Sequence, residues 1–255
     1  MDMDISRHER WFRAYAVRER SKEREDPEPL VLKECHTMAV LANARRVVES
    51  EALASVPGRA CLLAALYHDV ARFEQYLRYR TFRDRDSVNH GQYGVRILRR
   101  EGCLDDEPRR VRHLAMAGVA LHNRFALPRR LPQDVALVAH VVRDADKLDI
   151  LRVMDGHLRL RPYNPTVVLQ LPDDSEAASP EIRKAALAGR VAAYADLRSV
   201  NDFRLLLGTW FFDMHFTASR RQFVEDGHAV NILKGLPDDQ VYGEARAFLL
   251  ERLIA

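Results

Sequence analysis

Apolar positions in this chain recur at three- and four-residue steps and almost never alternate. Trp11, Phe12 and Tyr15 mark one such face, Leu32 to Val48 a second, and Cys61 to Tyr67 a third. This is the 3.6-residue period of helices that bury one side, so an all-α fold is predicted. The punctuation agrees. Pro27 and Pro29 precede the second run, Pro57 and Gly58 the third, and Ser87 is the candidate N-cap ahead of NHGQYGVRILRR. Asp105, Asp106 and Glu107 place negative charge before a helix starting near Pro108, and Pro132 opens the one carrying QDVALVAHVVRDADKLDILRVM. From Asp155 to Pro180 the pattern dissolves, and a short strand pair around Val167 to Leu171 is the one expected departure from helix. Three further helices are expected, from Pro180, from about Asp202 to Phe216, and from Asp238 to the end. Trp210, Phe211, Phe212 and Phe216 fall on apolar helical positions and are expected in the core. The expected organisation is a helical bundle over 1–155 and a C-terminal helical extension over 156–255, packed as one structural domain.

Composition narrows the function classes. The 255 residues can bury a sizeable core without staples. Basic and acidic residues nearly balance, 40 against 37, and the Arg pairs at 45–46, 99–100, 109–110, 129–130 and 220–221 are scattered, so no nucleic-acid surface is implied. Cys35, Cys61 and Cys103 are far apart and form no CxxC pattern; they read as small core residues of a reducing compartment. The start, MDMDISRHERWFRAY, lacks an apolar signal segment. The longest apolar runs, such as CLLAALY, fall well short of the roughly 20 residues that cross a bilayer. A cytoplasmic location with no membrane association is expected.

The histidines carry the chemistry. His68 and Asp69 are adjacent near the end of an apolar helix and offer one nitrogen and one oxygen ligand to a divalent first-row metal. Flanking runs add His36 in ECHTMAV, His90 in VNHGQYG, His122 in VALHNRF and Asp146 in DADKLDIL. Each histidine sits among apolar or small residues, where a polar group costs free energy unless satisfied, and a shared metal satisfies several at once. Asp144 lies two residues from Asp146 and points away from it on a helix. Asp149 either supports the site or, like Asp144, pairs with Lys147 and Arg152. His8, His113, His140, His157, His215 and His228 belong to no motif and are read as structural or exposed.

The order His36, His68-Asp69, Asp146 resembles the HD superfamily of metal-dependent phosphohydrolases, an all-α family in which these four residues ligate a metal. HDVARFEQYLRYRTFRDRDSVNHGQYG is similar to a bacterial subgroup with the pattern HDIGRFEQ followed by S-x-NH, with Ala71 where that subgroup has Gly. DADKLDIL and SVNDFRLLLGTWFFDMHF resemble it too, so the likeness runs from about residue 30 onward. It implies one or two divalent ions, with Mn, Fe, Mg, Zn, Co and Ni not distinguished. His90 and His122 then either ligate a second metal bridged by Asp69 or contact substrate phosphate. The implied reaction is hydrolysis of a nucleotide or another small phosphate ester. Asp69 or a histidine is implied in proton transfer, and Arg72 or Lys147 in facing the phosphate. Glu74 and Gln75 are implied in lining the pocket, with Asn89 and Asn123 beside the two histidines. Two other readings stay open: an HD-type diiron oxygenase, and a non-catalytic metal- or nucleotide-binding module.

Overall fold

In the computed structural model, residues 3–174 and 177–254 are described, and all regular structure among them is helical. The order is α1 (Ser6–Arg20), α2 (Glu28–Ser50), α3 (Ser55–Tyr67), α4 (Ala71–Tyr79), α5 (His90–Glu101), α6 (Arg109–Leu121) and α7 (Gln133–His157). There follow α8 (Pro180–Leu187), α9 (Val200–Thr209), α10 (Thr217–Glu225), α11 (His228–Lys234) and α12 (Gly243–Ile254). The chain divides into two compact units, Met1–Asp149 and Ile150–Ala255.

The first unit is organised around α3. Every residue from Ala60 to Tyr67 is buried, as expected for a helix that is apolar all round and enclosed by others. It packs against α2 and α6. At Gly118 a Cβ would lie 2.7 Å from Val138 Cγ1 and 2.8 Å from Ala64 Cβ. Only glycine lets α6 pass α3 and α7 this closely. From α1, Phe12 and Tyr15 present ring edges to Phe73, with centroids 6.0 and 5.7 Å away. His8 of the same helix is buried, with Nδ1 2.9 Å from the Tyr67 hydroxyl and Nε2 2.8 Å from Glu107. Arg59 grips both oxygens of Glu107 at 2.7 Å, and its charge outweighs burial to hold that carboxyl down to about 2. Glu107 thus accepts a hydrogen bond from His8 Nε2–H and leaves Nδ1 to accept from the Tyr67 hydroxyl, which fixes the end of α3.

The second unit centres on α9, whose Val200, Phe203, Leu205, Leu206 and Leu207 are buried and which packs against α8, α11 and α12. Ser179 and Ser199 cap α8 and α9. The buried Asp202 accepts from the Ser179 and Arg198 backbone N–H groups and from the Tyr242 hydroxyl.

Several expectations are corrected. No strand pair forms at 167–171: those residues turn instead, with the Val167 and Val168 N–H groups on the Asn164 carbonyl at 3.1 Å. The Asn164 side chain also accepts from Thr166 N–H at 3.0 Å, a local bond that competes with strand pairing. The stretch expected to be helical to Phe216 ends at Thr209 in a 3-10 turn, and α10 and α11 follow, two helices that the apolar pattern did not announce. Trp210 and Phe216 are buried, whereas Phe211 and Phe212 are half-buried. Helix α3 starts at Ser55, so Pro57 lies in its first turn, where a backbone N–H has no helical partner to lose, and Gly58 makes the first helical bond, its N–H donating to the Ala54 carbonyl at 2.8 Å. The cap of α5 is Asn89, which accepts from Gln92 N–H at 2.9 Å; the Ser87 hydroxyl instead donates to the Arg83 carbonyl. Cys61 is buried, but Cys103 is half-buried and Cys35 exposed. No helix among the described residues is long and apolar enough to cross a membrane.

Candidate metal centre

Helix ends aim the candidate ligands. His68 caps the C-terminus of α3, and its Nδ1 donates to the Ala65 carbonyl at 2.7 Å. His122 does the same at the end of α6, donating to the Val119 carbonyl at 2.7 Å. His90 is the first residue of α5, and its Nδ1 lies 2.8 and 2.7 Å from the two Asp84 oxygens. His36, midway along α2, places Nδ1 2.6 Å from Asp149 Oδ2. A carbonyl or carboxylate can only accept, so each Nδ1 carries the proton and each Nε2 is directed inward as the potential ligand atom. Gly91 lets His90 approach His122: a Cβ there would stand 2.8 Å from Asn123 Oδ1 and 2.9 Å from the Val119 carbonyl oxygen.

The inward atoms form two groups that share Asp69. In the first, His36 Nε2 lies 3.3 Å from His68 Nε2 and 3.0 Å from Asp146 Oδ1. His68 Nε2 is 3.6 Å from the same Asp146 oxygen. Asp69 Oδ2 closes that group at 3.7 Å from His36 and 3.6 Å from His68. In the second, His90 and His122 face each other with Nε2 atoms 2.9 Å apart. Asp69 Oδ1 completes it at 3.5 and 3.9 Å from them. Ligand atoms about 2.1 Å from one cation are separated by about 3.0 Å across an octahedral edge and about 3.4 Å across a tetrahedral one. The closest pairs in both groups, at 2.9 to 3.3 Å, lie at or near that spacing, and the Asp69 contacts, at 3.5 to 3.9 Å, are slightly wider. The donor set fits as well, because nitrogen and carboxylate oxygen together suit first-row divalent ions. Two lone pairs face one another at the His90–His122 contact, and a cation satisfies both.

Electrostatics keeps most of the candidate ligands in the form that binds metal. Burial pushes His122 down to about 3, helped by His90 and His68, and burial with Arg72 nearby also lowers His90. Burial would raise Asp69, but Lys33, His68, Arg72 and His90 outweigh it and hold the carboxyl well below its usual range. Asp146 is likewise held down against burial by His36 and His68. His36 is the exception. Burial and Lys33 lower it, yet the Asp146 and Asp149 hydrogen bonds win and raise it. A proton there stands in for a cation, and metal binding would release it.

The remaining sequence-selected residues divide. Arg72 donates from Nε to Asp69 Oδ1 at 3.2 Å and from Nη1 to Gln75, the Phe82 carbonyl and Asp84. Gln75 is fully buried and reaches Asp84 and Ser87. Asn123 donates to Asp84 at 2.9 Å and to Asn89 at 3.3 Å. Lys147 is half-buried beside Asp146 on α7. Glu74 turns elsewhere, to the Tyr93 hydroxyl at 2.6 Å and to Arg100, and makes no hydrogen bond to a candidate ligand among the described residues. Buried Arg143 donates to the carbonyls of His122, Arg124 and Phe125, fixing the chain just after His122.

Two residues escaped the sequence reading. Asp84 ties together His90, Arg72, Gln75 and Asn123 from a 3-10 turn outside any helical period. Lys33 places its ammonium 2.7 Å from Asp69 Oδ2, and its one signal was its place three residues before His36, on the same helix face. Asp149 orients His36 from behind, so Asp149→Ala is expected to weaken divalent-metal affinity about 10- to 100-fold, measured by calorimetric titration of the chelator-stripped protein. An unchanged affinity would show that the ring needs no such support.

Residues 34–151 match the HD domain family. No curated protein and no solved structure matches the chain.

Proposed function

With residues 34–151 forming an HD domain, we propose that this chain is a metal-dependent phosphohydrolase acting on a nucleotide or another small phosphate ester. The observation that carries the reading is Asp69, whose two oxygens face separate groups of imidazole nitrogens. Divalent cations held by these residues supply Lewis acidity towards a phosphoryl oxygen and the means to ionise water near neutral pH.

The protein's own groups do the rest. Asp69 and Asp146 are ionised and act as ligands. Ala65, Val119, Asp84 and Asp149 lock the four rings from behind, so no reorganisation is needed when substrate arrives. Arg72 is held by Nε and Nη1, while its Nη2 makes no hydrogen bond among the described residues. That nitrogen is assigned to a nonbridging phosphoryl oxygen, where a fixed guanidinium offsets charge growing in the transition state. Lys147, beside Asp146, is a second cation for the same purpose.

The test is a panel of p-nitrophenyl phosphate and nucleoside phosphates, run on chelator-stripped protein reloaded with Mn, Fe(II), Co, Ni, Mg or Zn. Phosphate release is expected with at least one metal and is abolished by chelation. Oxygen uptake by the iron-loaded protein without phosphate release would replace hydrolysis by oxidative chemistry. No turnover of any ester with any metal would overturn the hydrolytic reading.

A further inference from the structure

Asp69 is contacted by two side-chain cations as well as by the imidazoles. Lys33 Nζ lies 2.7 Å from Oδ2 and Arg72 Nε 3.2 Å from Oδ1. The Phe82 ring lies beneath both, 5.2 Å from the ammonium and 5.7 Å from the guanidinium carbon. The two cations are held differently. Arg72 is also fastened to Gln75, Asp84 and the Phe82 carbonyl. Lys33 has Asp69 as its one polar partner among the described residues, and its side chain is 16% exposed. A lysine stem is long and flexible and carries a compact charge, so Lys33 can leave where Arg72 cannot.

Lys33 also stands on the oxygen that the His36–His68–Asp146 group needs. Oδ2 is the Asp69 atom nearest those imidazoles, at 3.6 and 3.7 Å. A divalent cation bound there would sit close to the ammonium, and like charges in a buried site repel strongly.

We propose that Lys33 is an exchangeable counter-ion: it neutralises Asp69 while the ligand group holds no cation and, once a divalent cation takes Asp69 Oδ2, turns outward to bind a phosphoryl group. This rests on the metal-dependent phosphohydrolase reading. Metal loading and anion binding then help each other. An anion that draws Lys33 away frees the oxygen for the cation, and by linkage the cation raises anion affinity by the same factor.

The experiment is calorimetric titration of chelator-stripped protein with Mn²⁺ and, in parallel, Co²⁺, with and without inorganic phosphate. It is run on the wild type, Lys33→Met and Lys33→Arg. In the wild type, phosphate tightens metal binding. Lys33→Met is expected to bind metal about tenfold tighter without phosphate, because a competing charge is gone. Once loaded, it is expected to bind phosphate about tenfold more weakly, because a charged hydrogen bond is lost. Lys33→Arg restores phosphate binding. A merely structural lysine would move both affinities the same way. Affinities that fall together, or a phosphate affinity unchanged in Lys33→Met, overturn the inference and leave the hydrolase reading standing. A wild type that takes up neither metal overturns both. If Lys33→Met does not fold by circular dichroism, Lys33→Gln gives the same readouts.

Discussion

Asp69→Ala is expected to empty both ligand groups in one step. Oδ2 closes the group of His36, His68 and Asp146, and Oδ1 closes that of His90 and His122, so removing one carboxylate takes an anionic ligand from each. The charges of Lys33 and Arg72 lose their shared partner at the same time, and an uncompensated cation in a buried site repels an incoming metal. Metal content after saturation and desalting should fall from near-stoichiometric to background. Phosphate release should drop by more than about 10³-fold, at least the scale of losing one electrostatic contact to the transition state. Near-stoichiometric metal in a folded Asp69→Ala protein would mean that the carboxylate bridges nothing.

The double replacement His90→Ala with His122→Ala separates the two groups. It leaves His36, His68, Asp69 and Asp146 in place and deletes the imidazole pair whose nitrogens meet at 2.9 Å. Metal content is expected to halve while most activity is lost, because the cation serving the second oxygen of the displacement has gone. If the two rings instead contact substrate, metal content will match the wild type and the Michaelis constant will rise more than turnover falls. Elemental analysis beside steady-state kinetics distinguishes the two results.

The clustering of the candidate ligands was legible because they combine two readable signals: a polar residue type able to bind metal, and an apolar helical setting that buries it. His36, His68, His90 and His122 all have both. Long periodic helices were legible for the same reason. Asp84 had neither signal, since a carboxylate in the charged run RDRDS looks like any solvated turn until the fold sets it against His90. Lys33 looked like an ordinary helix-surface cation. The pair Glu74 and Gln75 shows the limit of treating a motif as one unit, because neighbours on a helix point about 100° apart. Gln75 joins the Asp84 network and Glu74 binds Tyr93 and Arg100. No strand pair forms at 167–171 because the backbone there is taken up locally by Asn164, a contact that the apolar pattern does not reveal.

The contact of His8 with Tyr67 and Glu107 sets the smallest piece of this chain that can stand alone. The family match begins at residue 34, yet α1 lies before it and supplies His8, Phe12 and Tyr15 to the core around α3 and α4. Lys33 falls one position outside the same boundary while touching Asp69. A fragment cut at the match would expose the aromatic side chains of Tyr67 and Phe73 and remove a cation from Asp69. The transplantable unit therefore starts with the first helix: the segment that resembles other proteins is shorter than the segment that must travel together.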